Sequence, residues 1–221
     1  MSTVVVKLGG AVAAETTSLV ARMAREHTVC VVHGAGQQIS AEMERLGLHV
    51  SFVAGRRVTT EAGLAVVRAS LAAVNAEICA ALGPRAVPLF GDEIGLRATQ
   101  VPALGLVGEA LPSRPPAASA AATAGLIPVV APLAAGPLNV NADEAASALA
   151  IGLGADRILF LTDVPGLLLG GAVAAAIGGV EAERLLEAGE LTGGIVPKLR
   201  AAGGADRGGV DAKIGATAVF A

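Results

Sequence analysis

The chain has 221 residues, 53% of them apolar, and a formal net charge of -3, enough for one domain or two closely fused lobes around a sizeable core. Aromatics make up only 2%, with no Trp or Tyr, so base-stacking platforms are nearly absent, and the mildly acidic balance lacks the footprint of a nucleic-acid binder. Two cysteines, Cys30 and Cys79, cannot build a disulfide framework or a four-ligand zinc site. Charges or Gly/Pro interrupt each apolar stretch short of about 18 residues, so no membrane span is expected. The opening Thr3-Val4-Val5-Val6 carries no basic leader, and a cytoplasmic location is expected.

In chain order, β-branched and apolar runs predict strands over Thr3–Leu8, Thr28–His33, Ala86–Phe90, Ile127–Ala131, Arg157–Thr162 and Ala216–Phe220. Between them, helices are expected over Glu15–Glu26, Gln37–Leu46, Glu61–Leu82, Arg114–Ala124, Asp143–Leu153, Ala182–Ala188 and Val196–Ala205. This alternation is the pattern of an α/β protein with a mainly parallel sheet. Leu96–Leu111, punctuated by Gly and Pro, reads as a small hairpin excursion. Pro112 to Pro116 marks a turn between halves, with a boundary in the region 112–136.

Thirteen arginines stand against three lysines, at 7, 198 and 213, and two of the lysines sit beside glycine pairs. The first strand ends in Val6-Lys7-Leu8-Gly9-Gly10, where bare backbone N–H groups and a following helix suit an anion. The second ends in Val32-His33-Gly34-Ala35-Gly36, again before a helix. A dinucleotide fingerprint is a poor description of it. The third glycine position is Ile39, and no acidic residue lies about 20 positions on. Two such strand ends are better read as adjacent cradles for one phosphate-sized ligand, with His33 structural rather than a base. Cys30 and His33 fall on opposite strand faces and make no metal pair. Asn139-Val140-Asn141-Ala142-Asp143 approaches a helix; Asn141 or Asp143 could cap it, or the three polar groups could serve a site. Gly193-Gly194-Ile195-Val196-Pro197-Lys198 is a second glycine loop feeding a helix.

Taken together and in order, these motifs, with Gly55-Arg56-Arg57-Val58-Thr59 and Thr162-Asp163-Val164-Pro165-Gly166-Leu167, resemble the amino-acid kinase family over residues 3–207. The pattern is most like the members that phosphorylate N-acetyl-L-glutamate. The resemblance implies a single domain over 1–221, a three-layer α/β/α sandwich around a mostly parallel sheet of roughly eight strands. Its amino-terminal lobe, about 1–135, would bind the acyl amino acid and its carboxy-terminal lobe, about 136–221, the nucleotide. The implied reaction is transfer of a phosphoryl group from ATP, with Mg2+, to the side-chain carboxylate of N-acetyl-L-glutamate in arginine biosynthesis. Positioning and charge stabilisation would carry it, with no covalent intermediate.

Carried over by motif, Lys7 and Lys198 would neutralise the transferring phosphoryl group and Asp143 would orient both. Gly9, Gly10 and Gly34 would cradle phosphate oxygens. Ala35, Gly36, Arg57 and Asn139 would hold the acceptor, with Arg57 forking onto its α-carboxylate. Asp163, Val164, Pro165, Gly166, Leu167 and Leu168, with Glu190, Leu191 and Thr192, would line the nucleotide, and no residue is assigned to a metal. Lys213 matches no motif and belongs to the surface.

Two departures stand out. Position 35 is Ala where the family has Gly, and a stretch of about twenty residues near 208–216 is missing from the nucleotide side, a shortening that loops tolerate energetically. Alternatives are a kinase of a carrier-protein-linked glutamate or aminoadipate, which would want a basic rim, and a non-catalytic nucleotide or amino-acid sensor. Because the first strand begins by Thr3, leaving no room for the helix that interlaces dimers into arginine-inhibited hexamers in this family, a homodimer is expected, with no nucleic-acid or membrane partner.

Overall fold

The computed structural model describes residues 1–10, 14–161 and 165–220. The amino-terminal part runs β1 (Thr3–Leu8), α1 (Ala14–Glu26), β2 (Thr28–His33), α2 (Gly36–Arg45), β3 (Phe52–Val53), β4 (Arg56–Arg57), α3 (Glu61–Leu82) and β5 (Ala86–Phe90). Next come α4 (Gly91–Ile94), β6 (Ala98–Gln100), β7 (Val107–Ala110), α5 (Pro116–Thr123), β8 (Ile127–Ala131), β9 (Leu133–Ala134) and β10 (Leu138–Val140). The remainder is α6 (Ala142–Leu153), β11 (Arg157–Phe160), β12 (Leu168–Leu169), β13 (Ala172–Val173), β14 (Ala176–Gly178), α7 (Gly179–Glu187), α8 (Ile195–Arg207), β15 (Asp211–Ile214) and β16 (Thr217–Phe220).

An eight-stranded sheet in the order β14-β16-β15-β11-β1-β2-β8-β5 forms the centre. Every pair in it is parallel except β15 with β16. Its inner strands are buried on both faces, which is why Val4–Val6 and Val29–Val32 read as unbroken apolar runs rather than alternating ones. The period of two sorts them into two cores. Val4, Val6, Leu8, Val29 and Val31 pack toward α1, α2 and α3, and Val5, Cys30 and Val32 toward α6 and α8. The result is the three-layer α/β/α architecture with a mostly parallel sheet.

Local chemistry sets the element ends. Thr60 caps α3, its Oγ1 accepting from the Gly63 N–H at 3.1 Å, and Gly83 closes the helix at φ 80°. This 22-residue helix has the length and composition of a membrane span, yet it buries Val66, Val67, Leu71, Val74 and Ile78 in the core. The expected helix over Arg114–Ala124 starts only at Pro116, because a residue before proline resists the helical region and proline itself suits the first helical position.

Several short strands escape the sequence pattern. Phe52–Val53 and Arg56–Arg57 pair through the two-residue turn Ala54-Gly55, with φ 49° and 80°. A left-handed Ala costs roughly 1–2 kcal/mol. Leu168–Leu169 and Ala172–Val173 pair through Gly170-Gly171, both at positive φ, a Gly-Gly hairpin signature that the sequence displays openly. β15 is a further addition, antiparallel to β16 through Gly215, whose absent Cβ lets the backbone pass against the Pro165 carbonyl. The expected strand over Arg157–Thr162 ends at Phe160, and Thr162 falls outside the described residues.

Candidate active site

β1 lies at the middle of the sheet, between β2 from the first half of the chain and β11 from the second. The carboxyl end of β1 is therefore where the sheet order reverses, the position at which open α/β sheets bind ligands. Lys7 stands there, 6% exposed. Its Nζ lies 2.9 Å from Asp143 Oδ1, and Lys198 Nζ donates to Asp143 Oδ2 at 3.4 Å. Asp143 is itself only 4% exposed, so one buried carboxylate holds two ammonium groups drawn from opposite ends of the chain. Burial lowers the Lys7 pKa, the nearby Lys198 charge lowers it further, and Asp143 opposes both.

The sequence left open whether Asn141 or Asp143 caps α6. Asn141 does so, its Oδ1 accepting from the Asp143 N–H at 2.8 Å and the Glu144 N–H at 3.2 Å. Asp143 is released from capping and turns to the lysines. Its place in the first turn of α6 favours negative charge.

Beside this pair lies a cavity of about 200 Å³ lined by Lys7, Gly9, Gly10, Gly34, Ala35, Gly36, Arg57, Asn139 and Asp143, together with Phe52, Gly55 and Asn141. All of the expected phosphate and acceptor residues thus meet at one place. Their individual roles differ. The Gly34 N–H already donates to the Leu8 carbonyl at 3.1 Å. Gly34 therefore offers the cavity no free donor, and a Cβ there would make only ordinary contact, 3.5 Å from Ala142 Cβ. Free donors come instead from the start of α2, whose N-cap residue Ala35 has no side-chain acceptor to cover the first-turn N–H groups. At Gly10 a Cβ would meet Gln38 Oε1 at 2.5 Å and Ala35 Cα at 3.0 Å, while at Gly9 it would meet nothing within 4 Å.

Arg57 is buried, with Nη2 donating to the Gly36 carbonyl at 2.9 Å and to Ser40 Oγ at 2.8 Å. Nη1 faces Met43 Sδ at 3.5 Å, and the guanidinium lies 4.6 Å from the Phe52 ring centroid. Burial lowers its pKa somewhat, and an arginine remains cationic all the same. Asn139 Nδ2 donates to Thr59 Oγ1 at 3.0 Å, and Thr59 passes the bond on to the Arg57 carbonyl at 2.8 Å.

His33 is structural. It is fully buried, its Nε2 lies 3.0 Å from Asn75 Nδ2, and its Nδ1 is 3.4 Å from the Gly34 carbonyl. Burial, aided by the Lys7 charge, pushes its pKa down to about 4, so the ring is neutral and donates through Nδ1 to the loop it supports. Cys30 is packed away on the other face, its thiol pushed up to about 12 by burial.

The residues expected on the nucleotide lie elsewhere. Asp163 and Val164 fall outside the described residues. Pro165 is exposed, whereas Gly166 is buried against Thr217 and the Leu167 side chain sits in the core, its N–H donating to Thr217 Oγ1 at 2.9 Å. Leu168 is half exposed at the start of the β12–β13 hairpin. Glu190 and Thr192 are exposed and Leu191 half-buried between α7 and α8, with Glu190 accepting from Arg184 at 3.3 Å. Sequence reasoning missed Gln38, Ser40, Thr59 and Asn75. Each is an ordinary polar residue with a partner well along the chain, Gly10 for Gln38, Arg57 for Ser40, Asn139 for Thr59 and His33 for Asn75.

Comparison with known proteins bears on the fold and the family. The sequence model of the amino acid kinase family matches residues 2–214. An acetylglutamate kinase from Rubrobacter xylanophilus is 43% identical over 227 residues, covering 97% of this chain and 88% of that protein. A crystal structure of smu.665 from Streptococcus mutans superposes with a TM-score of 0.90 at 25% identity, covering 99% and 98% of the two chains. A carbamate kinase from Giardia lamblia shares the fold, with a TM-score of 0.67 at 16% identity and 99% and 98% covered. Glycine-rich strand ends, a buried carboxylate between two lysines and this breadth of similarity converge on one result: the chain belongs to the amino acid kinase family.

Proposed function

We propose that this chain transfers the terminal phosphoryl group of ATP to the side-chain carboxylate of N-acetyl-L-glutamate, yielding N-acetylglutamyl phosphate and ADP for arginine biosynthesis. The Lys7–Asp143–Lys198 cluster beside a small cavity with an arginine carries this reading. A phosphoryl group in flight spreads negative charge over its oxygens, so a site with no nucleophile of its own can work by placing cations and N–H donors around it. Asp143 lets the two lysines share a buried space without repelling each other. The uncapped start of α2 and the Gly9-Gly10 turn add backbone donors to that space. Arg57 keeps donors beyond the three described contacts, and these are proposed for the acceptor's α-carboxylate, with Asn139 nearby.

The same reading assigns the acceptor to the lobe of about residues 1–135 and the nucleotide to that of about 136–221. In support, β1, β2, β8 and β5 fill one side of the sheet and β11, β15, β16 and β14 the other. Among the described residues, no group of three or more His, Cys, Asp or Glu side chains is placed to hold a cation, and the buried Asp143 is already shared by two lysines. In this reading Mg2+ arrives on the nucleotide and neutralises its phosphates. A cytoplasmic homodimer is part of the proposal. α3 is strongly apolar along its length yet only a third buried, and β5 is an edge strand, so a second copy can cover both.

A carrier-linked acceptor would want a basic rim, and Arg56 does not supply one, since Glu144 and Glu109 neutralise it. The test is acceptor-dependent ADP release with N-acetyl-L-glutamate, glutamate, aspartate, carbamate or UMP, with hydroxylamine trapping the acyl phosphate as a hydroxamate. No acceptor-dependent ADP would end the kinase reading, and preference for another acceptor would move the substrate.

A further inference from the structure

The β3–β4 hairpin has only two ladder pairs, Phe52 with Arg57 and Val53 with Arg56, and both β3 residues are exposed. A two-stranded ribbon of this length has little stability of its own. Its turn also holds Ala54 in the left-handed region, at φ 49°. What fixes the hairpin must therefore come from outside it. Arg56 makes a two-pronged bond to Glu144, Nε to Oε1 at 2.9 Å and Nη2 to Oε2 at 3.2 Å. Asn141, the cap of α6, donates through Nδ2 to the Gly55 carbonyl at 3.0 Å. A Cβ at Gly55 would lie 3.3 Å from Pro197, the neighbour of Lys198. Each tether ends one or two residues from a member of the lysine–aspartate cluster, and Arg56 itself is next to Arg57.

We propose that the Arg56–Glu144 ion pair is a positioning device which locks the hairpin carrying Arg57 onto the helix carrying Asp143, so that acceptor binding and the phosphoryl-stabilising cluster share one frame. The proposal rests on the acceptor role given to Arg57 above. Arg56 touches no reacting atom in this scheme. Burial pushes the Glu144 carboxyl up, and the bond from Arg56 is what favours its charged form. Glu109 on β7, 3.2 Å from Arg56, ties the smaller sheet to the same point.

The experiment is a double-mutant cycle of Arg56→Gln, Glu144→Gln and the pair, read by steady-state kinetics and by amide hydrogen exchange. Each single variant should raise the KM for N-acetyl-L-glutamate roughly 5–20-fold, leave the KM for ATP within about twofold, and keep the melting temperature nearly unchanged because the pair is partly solvated. The double variant should be no worse than either single one. Exchange at the Val53–Arg57 amides should quicken about tenfold or more in all three. Multiplying effects in the double variant, or unchanged acceptor KM in an active enzyme, would overturn the lock while leaving the kinase reading intact. Should the wild-type protein release no ADP with this acceptor, the functional reading fails by itself. Hydrogen exchange still decides the tether, and unchanged protection would overturn it.

Discussion

Truncating Lys198 separates catalysis from folding more cleanly than any other change at the cluster. Its Nζ lies 3.4 Å from Asp143, and its side chain is 17% exposed, whereas Lys7 sits at 2.9 Å and 8%. Lys198→Ala leaves Asp143 with its shorter partner, so the folding cost should stay within about 1 kcal/mol, the range of partly solvated pairs. For a chain of this size that is a fall in Tm of roughly 2–4 °C. In the proposed mechanism the same nitrogen would face developing charge on the phosphoryl oxygens. Loss of one such donor costs about 2.7–4 kcal/mol, a fall in kcat of roughly 10²–10³-fold, with KM moving much less. Lys7→Ala should match that loss of rate and add a structural one. Removing one partner of a buried pair costs about 3–5 kcal/mol, or roughly 6–20 °C in Tm. A coupled assay for ADP and differential scanning fluorimetry on the same preparations measure both. Lys213, exposed on β15, separated from β1 by β11 and absent from the cluster and the cavity lining, is the control, and Lys213→Ala should behave as wild type. A Lys198→Ala enzyme with kcat within about threefold of wild type would refute the two-lysine mechanism.

Further expectations follow from the same geometry. Asp143→Asn removes the charge and hydrogen bond that hold the Lys7 pKa up, so the alkaline limb of kcat/KM should move to lower pH along with a large loss of rate; an unmoved limb would mean that Lys7 is not the group titrating. Arg57→Lys retains charge but loses the planar fork, so the acceptor KM should rise with little change in that for ATP; the same phenotype from Arg56→Lys alone would shift the assignment by one residue. His33 is held down to about 4 from an unfolded value near 6.5. Its neutral, buried form is stable above pH 6.5, and that contribution, about 3 kcal/mol from 1.36 kcal/mol per unit, is lost as pH falls from 6.5 toward 4. Urea unfolding across that window should fall less steeply in His33→Gln, and equal slopes would exclude the effect. Gly9→Ala should leave Tm unchanged and lower activity, whereas Gly10→Ala should also cost about 1–3 kcal/mol through overpacking against Gln38 and Ala35; equal melting temperatures for the two would contradict the packing.

Some of this protein was legible from the residue order alone. Unbroken runs such as Val4-Val5-Val6 state that a strand is buried on both faces, and the structure returns Thr3–Leu8, Thr28–His33, Ala86–Phe90 and Ile127–Ala131 with the expected ends. Thr60 and Gly83 bracket α3 by capping chemistry that acts within one turn. The glycine pairs beside Lys7 and Lys198 marked both cluster lysines for the same local reason. Tertiary structure decided the rest. The hairpin of Phe52–Val53 and Arg56–Arg57 is too short to display a period of two, and its tethers to α6, α2 and β7 hold it. That Asn141 caps α6 while Asp143 faces two lysines could not be chosen locally, because both residue types cap helices well. Nor could the Gly34 amide be known to be taken by Leu8 until β1 and β2 lay side by side. Periodicity, caps and turns act over a few residues and so specify elements and their faces. The meeting of Lys7 with Lys198 depends on β1 standing between β2 and β11, a pairing set by the packing of the whole sheet and written in no short stretch of the chain.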